Sequence, residues 1–140
     1  MTMTQSGTRA RSLRAPLAVA AAGLGAATLL YLRDPHRAGA YGFCPFHVIT
    51  GWWCPGCGGL RAVNDLTHGD LVGSLSSNVL ILPLVVVLVV AWMSWLRRRW
   101  GGVDDRMIVL GRSATAGILV VLAVFTVVRN TPWAAVLAPT

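Results

Sequence analysis

The sequence contains no lysine and no glutamate, and only 12% of its residues are charged. With 55% hydrophobic residues in a chain of 140, this charge is too sparse for the surface of a soluble domain. The net charge of +7 comes from arginine alone. These arginines flank apolar runs and are not interleaved with stacking aromatic residues, so lipid headgroups rather than nucleic acid are the expected partners. The composition therefore predicts a membrane protein.

Internal repeats and low-complexity tracts are also absent, and no strand–helix–strand pattern of the thioredoxin type surrounds the cysteines. The chain has three cysteines. An odd number permits at most one intramolecular disulfide with one thiol left over, or else leaves all three thiols available to a metal ion. Parity alone does not choose between a disulfide and a metal site.

Long apolar runs predict the fold class: an all-α membrane protein with three transmembrane helices and a short interfacial amphipathic helix after a Cys-rich loop. The first run, 15–32, is uncharged and would be about 27 Å long as a helix, close to the roughly 30 Å of a hydrocarbon core. The second span, 71–96, is expected to bend at Pro83. The third span is predicted at 107–128. A cleaved signal peptide is the competing interpretation of the first run, with residues 38–40 as its cleavage site.

The arginine distribution predicts the orientation of these spans. The N-terminal arm, the loop after the second span and Arg112 near the start of the third span together supply eight arginines, whereas the opposite side carries four. The positive-inside rule then predicts a multi-pass protein of the inner (plasma) membrane with a cytoplasmic N-terminus. The connecting segments are a disordered cytoplasmic arm (1–14), an extracytoplasmic Cys-rich loop with a short helix (33–70), a cytoplasmic Arg-rich hairpin (97–106) and an outer interfacial tail (129–140).

Two short patterns in the Cys-rich loop carry the candidate chemistry. They are Cys44-Pro45-Phe46-His47 and Cys54-Pro55-Gly56-Cys57-Gly58. The second resembles the knuckle of zinc ribbons and rubredoxins, in which two intervening residues bring both sulfurs to one ion and the following glycine adopts a positive φ. The first adds one sulfur and one imidazole. Together they give a Cys3His set, Cys44, His47, Cys54 and Cys57, suited to tetrahedral zinc.

Other roles for the cysteines stay open. In a membrane thiol–disulfide oxidoreductase, Cys54 would be the nucleophile and Cys57 the resolving thiol, with Arg61 and a helix dipole stabilising the thiolate. In the simplest alternative, a disulfide or a zinc ion holds the loop in place, and the protein is a non-catalytic accessory or interaction subunit that docks on a membrane protein partner. An enzyme is the less favoured interpretation, and the sequence does not identify the partner.

A polar stripe follows the cysteines on a predicted helix over 60–68. Its members recur at helical spacing on one face: Arg61, Asn64, Asp65 and His68. The stripe is either a small binding surface, with His68 as a proton carrier oriented by Asp65, or the water-facing side of a helix that lies on the membrane. Gly69 is expected to end this helix, and Asp70 to cap the next one.

These motifs carry a resemblance to a known family. The chain from Cys44-Pro45 and Thr50-Gly51 through Cys54-Pro55-Gly56-Cys57-Gly58 and Arg61-Ala62 to Leu66, His68-Gly69-Asp70 and Asn78 resembles small bacterial membrane proteins of the domain of unknown function 2752 (DUF2752). The ending, with Arg129-Asn130, Pro132 and Leu137-Ala138-Pro139, is similar too. Leu60 and Val79 depart from the family pattern, which has threonine and proline there, and His47 lies outside its core motif. The resemblance implies a membrane protein and no established activity.

Overall fold

The computed structural model describes residues 4–37, 41, 44–103 and 105–137. These residues form helices, and no strand is present among them. The helices are α1 (Thr4–Leu32), α2 (Pro45–Thr50), α3 (Gly59–Thr67), α4 (Leu71–Ser77), α5 (Ile81–Trp100) and α6 (Arg112–Arg129), followed by a 3₁₀ helix (Pro132–Leu137). The predicted all-α fold class is confirmed.

Three helical segments are long and apolar enough to span a membrane, namely Leu13–Leu32 within α1, all of α5 and all of α6. Most of their large apolar side chains are exposed, for example Leu119 and Val120 in the middle of α6. A soluble protein would bury such a continuous surface, whereas helices that face lipid need not. The structure therefore confirms three helices that are long and apolar enough to span a membrane, as predicted.

The first helix starts earlier than its apolar run. Residues 4–14, expected to be disordered, are helical and continue directly into the span. Once a helix has been nucleated, each added residue gains a backbone hydrogen bond without a new nucleation cost, and the arginines, alanine and leucine here are good helix formers. Residues 1–3 of the predicted arm, residues 38–40 of the alternative cleavage site, residue 104 of the hairpin and residues 138–140 of the tail lie outside the described part of the chain.

The second predicted span is two helices rather than one. The chain leaves α4 at Asn78, whose φ of −164° and ψ of 108° are extended, and α5 begins at Ile81. Pro83 consequently lies in the first turn of α5, where its missing N–H breaks no intrahelical hydrogen bond, so it need not bend a continuous helix. The third span also begins later than predicted, at Arg112 after the extended Gly111.

The chain divides into two compact units. One contains residues 1–26 and 85–109, and its tryptophans donate to backbone carbonyls: Trp92 Nε1 to Pro16 O at 3.0 Å and Trp95 Nε1 to Asp105 O at 2.7 Å. An indole N–H needs such an acceptor when the rest of its ring is in apolar surroundings. An exposed ion pair between Arg98 and Asp105, 3.2 Å long, closes the turn after α5.

The other unit contains residues 27–84 and 110–140, and it holds all the candidate site residues. Its most buried side chains are mainly polar. They are Asn64, Ser74, Ser77, Asn78 and Arg129, with Ala62 among them. Buried polar groups cost free energy unless they find hydrogen-bond partners. Asn64, Ser77, Asn78 and Arg129 have such partners through their side chains, whereas Ser74 Oγ and Arg129 Nε have none among the described residues.

The junction between α3 and α4 agrees with the sequence-based expectation and supplies a first prediction. Gly69 has a φ of +78° after α3, and Asp70 caps α4 by accepting the Gly73 N–H at 2.8 Å. We expect Asp70→Ala to destabilise this junction by about 1 kcal/mol, because the Gly73 N–H loses its acceptor. Faster amide exchange at Gly73 is the measurement. Asp70→Asn keeps an acceptor, so its Gly73 amide should exchange at the wild-type rate. If the Gly73 amide exchanged at the same rate in Asp70→Ala and Asp70→Asn, the capping role would be contradicted.

Candidate metal centre

Cys44 is placed by the start and the end of α2. It is the N-cap residue, and Pro45 occupies the first turn of the helix. After only six residues α2 stops at Gly51, whose φ of +73° lets its N–H bond His47 O at 2.8 Å. The reversal expected at Thr50-Gly51 is therefore present. It returns the chain to the second cysteine pattern, with Cys44 Sγ 3.4 Å from Cys54 Sγ.

Cys54 and Cys57 lie on a tight turn directly before α3. The Cys57 N–H bonds Cys54 O at 3.1 Å, and Gly58 follows with a φ of +79°, the positive value expected after the second cysteine. The two sulfurs are 2.9 Å apart. We call residues 53–58 the cysteine loop.

The sulfurs of Cys44, Cys54 and Cys57, which we call the cysteine cluster, all lie within 4.8 Å of one another. The three thiols are free and partly buried. On a tetrahedral zinc ion with Zn–S bonds of about 2.3 Å, neighbouring sulfurs would be about 3.8 Å apart, which falls within the observed spread. The cluster is therefore compatible with binding one metal ion through three thiolates.

The local environment affects the thiols of the cluster differently. The backbone N–H of His47, at the start of α2, hydrogen-bonds the sulfur of Cys44 and lowers the pKa of that thiol. Burial, followed by the neighbouring thiols of Cys54 and Cys44, raises the pKa of Cys57 to about 12. A bound cation reverses this preference, because a coordinating thiol is deprotonated outright. Cys57 is thus a group for which the metal-free environment favours the neutral thiol.

His47, the fourth ligand predicted from the sequence, is not one of the groups that converge in the cluster. Its ring stacks on Trp53, with centroids 3.9 Å apart, and its Nδ1 lies 3.2 Å from Trp52 O. A carbonyl accepts, so Nδ1 donates this hydrogen bond, and a neutral ring in this tautomer has its lone pair on Nε2, where it can bind a metal ion. Ligation by His47 stays a prediction.

Three side chains from distant parts of the sequence hold the cysteine loop by its backbone. Asn78 donates to Pro55 O at 2.9 Å and to Cys57 O at 3.0 Å. Asn130 makes a two-way contact with Trp53, accepting its N–H at 2.8 Å and donating to its carbonyl at 2.9 Å. Arg129 Nη1 donates to Cys54 O at 3.1 Å. These bonds fix the loop that carries two of the three sulfurs.

Arg129 is a buried cation beside the cluster. Its side chain is 1% exposed, its guanidinium carbon lies 5.4 Å from the Phe125 ring centre, and Nη2 is 3.5 Å from Ser77 O. Its Nε is buried without a hydrogen-bond partner among the described residues. Within that part of the chain no carboxylate pairs with this guanidinium, and the ionisable groups that interact with it are the thiols of Cys57 and Cys54.

Two of the four residues of the predicted polar stripe of α3 are buried, and the other two are partly buried or exposed. Asn64 is buried and donates to Leu30 O at 2.6 Å. Asp65 is buried as well; it accepts from Ser77 Oγ at 2.9 Å and lies 3.4 Å from His36 Nε2. His68 stacks on Tyr31, with centroids 4.4 Å apart, and Arg61 is partly buried. Asn64 and Asp65 therefore anchor α3 to its unit, whereas His68 is exposed, and the role of the stripe as a binding surface or a water-facing side stays a prediction.

Sequence reasoning identified the cysteines but gave no role to the residues that hold them. Arg129 and Asn130 were assigned to an interfacial tail, and Asn78 to the start of a span. A signal was nevertheless present, because all three are polar residues at the ends of apolar segments. Polar groups at such positions need partners, and here the partners are the carbonyls of the cysteine loop.

Together, the fold and the site define a class: a small all-helical protein with three helices able to span a membrane and a cysteine cluster compatible with metal binding. The model of the family described as "Protein of unknown function (DUF2752)" matches residues 44–92, which confirms the resemblance seen in the motifs. The matched range includes the whole cysteine cluster and Asn78 but ends before Arg129. Searches of curated proteins and of solved structures each gave no match.

Proposed function

We propose that this protein is a non-catalytic accessory subunit of a membrane assembly, and that Cys44, Cys54 and Cys57 bind one zinc ion that fixes its cysteine loop. The observation that carries the proposal is the convergence of three sulfurs within 4.8 Å. Thiolates are soft ligands and favour zinc among abundant divalent ions. A structural zinc site is closed, and we assign the fourth position to Nε2 of His47, which lies outside the sulfur cluster and would approach the ion when zinc binds.

A structural rather than a catalytic role is supported by the way the loop is held. Asn78, Arg129 and Asn130 together bond the carbonyls of residues 53, 54, 55 and 57. Four backbone carbonyls within five residues of the loop are therefore hydrogen-bonded. A metal ion would cross-link the same loop, and a loop held in both ways presents a fixed surface. Such a surface suits docking on a partner.

We assign the cysteine loop to the outer face of the cytoplasmic membrane and the N-terminus to the cytoplasm. The support is the excess of arginines in the N-terminal arm and in the segment 97–112. The burial of Arg129 increases this difference between the two sides. Arg129 is one of the four arginines on the opposite side, and a buried arginine does not contact the membrane surface.

Thiol–disulfide exchange is a second candidate, favoured by the 2.9 Å separation of the Cys54 and Cys57 sulfurs. In that reaction the Cys54 thiolate would attack a disulfide of a substrate protein and form a mixed disulfide. Cys57 would then displace the substrate, which leaves as a dithiol while Cys54 and Cys57 become the disulfide.

Metal analysis of the detergent-purified protein, kept reduced with a phosphine, tests the proposal. We expect about one zinc ion per chain, and less than about a tenth of that occupancy in Cys44→Ser, Cys54→Ser and Cys57→Ser, since each removes a ligand. Exposed Ser76→Ala is the matched control and should retain the metal. His47→Ala should bind zinc on the order of tenfold more weakly if the imidazole is the fourth ligand.

Other outcomes would overturn the proposal. Protein without metal, together with a Cys54–Cys57 disulfide that forms and is reduced reversibly, would favour thiol exchange. Full zinc occupancy in all three serine variants would place the ion elsewhere.

A further inference from the structure

We propose that Arg129 is the fixed counter-charge of the cysteine cluster and stabilises the anionic complex that three thiolates form with a divalent ion. The inference rests on the proposed zinc site and assigns a metal-affinity role to a residue far from the cysteines in sequence. Arg129 does not touch the ion in this proposal; it acts on the ion through the thiolates.

The burial of Arg129 favours a nearby anion. A guanidinium stays charged under all physiological conditions, and two carbonyl contacts with the face of the Phe125 ring compensate only in part for removing that charge from water. Arg129 is 1% exposed, and in the described part of the chain the ionisable groups that interact with it are cysteine thiols. Neutral thiols would leave the cation without a counter-ion. Thiolates that hold a divalent metal ion supply one.

Charge balance explains why a divalent ion fits. Zinc binding can be written Zn²⁺ + 3 RSH → [Zn(SR)₃]⁻ + 3 H⁺, so the complex carries one negative charge, which the guanidinium neutralises. A neutral fourth ligand, such as imidazole or water, leaves this balance unchanged. Because the guanidinium of Arg129 is itself buried, its charge has a larger effect on the partly buried cluster than an exposed charge would have.

Trivalent arsenic provides a probe with the same thiols but no charge. The reaction As(OH)₃ + 3 RSH → As(SR)₃ + 3 H₂O needs the same three sulfurs in close proximity, yet its product is neutral. A counter-charge at residue 129 therefore contributes to zinc binding and not to arsenite binding. If Arg129 acted only by holding the loop through Cys54 O, its loss would weaken the two reactions alike.

Two substitutions separate charge from hydrogen bonding. Arg129→Lys keeps the positive charge and loses the planar fork of donors, whereas Arg129→Gln keeps an amide donor and loses the charge. We expect Arg129→Gln to weaken zinc binding by a factor on the order of 10 to 100, the range typical for groups that support metal ligands. Arsenite affinity should change less than about threefold, and Arg129→Lys should retain zinc affinity within about threefold of the wild type.

The experiment measures zinc and arsenite binding by the full-length reduced protein in detergent, for the wild type and both variants. Loss of zinc and arsenite binding together in Arg129→Gln, or loss of zinc with retained arsenite binding in Arg129→Lys, would overturn the counter-charge role. If Arg129→Gln does not fold, the Arg129→Lys result decides. A wild type that binds arsenite but no zinc would instead show that the proposed function is wrong, and the inference would fall with it.

Discussion

If the cysteine cluster holds the proposed zinc ion, a strong chelator is expected to release the cysteine loop, with amide exchange over residues 44–58 rising on the order of 100-fold. Side chains join α2 to the cysteine loop at two places: the cysteine cluster, with Cys44 on one segment and Cys54 and Cys57 on the other, and the stacking of His47 on Trp53. Metal binding in small sites provides much of the folding free energy, about 10 kcal/mol or more in zinc-finger peptides. We expect loss of the metal to cost this loop less free energy than it costs a zinc finger, because Asn78 and Asn130 still hydrogen-bond the loop after the metal is removed.

Exchange within α5 and α6 should stay unchanged, since these helices are stabilised by their own backbone hydrogen bonds and by lipid or detergent. Cys57→Ser protein serves as the matched control, because it should exchange rapidly over the same residues with or without chelator. If the wild type were equally protected in both conditions, a structural metal ion in the loop would be ruled out.

Replacement of Asn78 by alanine should lower the free energy of unfolding by about 3 kcal/mol, because it leaves several buried backbone groups without partners. The amide of Asn78 is 1% exposed; it donates to Pro55 O and Cys57 O and accepts the Leu80 N–H at 3.0 Å. Both donors face the loop that carries two of the three sulfurs. Zinc affinity should therefore fall along with stability, and chemical or thermal unfolding in detergent together with zinc titration is the measurement.

Asn78→Asp separates the two ends of this side chain. It keeps an acceptor for the Leu80 N–H and loses both donors to the loop, so it should resemble Asn78→Ala in zinc affinity. The exposed Ser76, two residues earlier in α4, gives the surface control, and Ser76→Ala should change stability by less than about 0.5 kcal/mol. A stable Asn78→Ala protein with unchanged zinc affinity would show that the loop does not depend on this amide.

Local signals in the sequence were sufficient for much of the fold. Apolar runs located the three helices able to span a membrane, and the turns at Gly51, Gly58 and Gly69 followed from the conformational preference of glycine. The cap at Asp70 followed from the preference of a short acidic side chain for a helix start. These features depend on a few neighbouring residues, which is why the sequence reveals them.

Features that depend on distant partners were not predictable in the same way. Reasoning from hydropathy sends polar side chains to water, whereas Asn64 and Asp65 turn inward to Leu30 and Ser77. The break at Asn78 is invisible in an apolar pattern that continues on both sides of it. Arg129 is separated from Cys54 by 75 residues, and no short-range pattern shows that the cation and the thiols share one site.

The pairing of Arg129 with Cys54 and of Asn130 with Trp53 joins two consecutive residues at the end of α6 to two consecutive peptides of the cysteine loop. An α-helix turns about 100° per residue, so rotating α6 by a single position would separate both pairs at once. The rotational setting of this helix is thereby fixed at one end. Consequently the same two contacts set the direction in which exposed side chains such as Leu119 point relative to the cysteine loop.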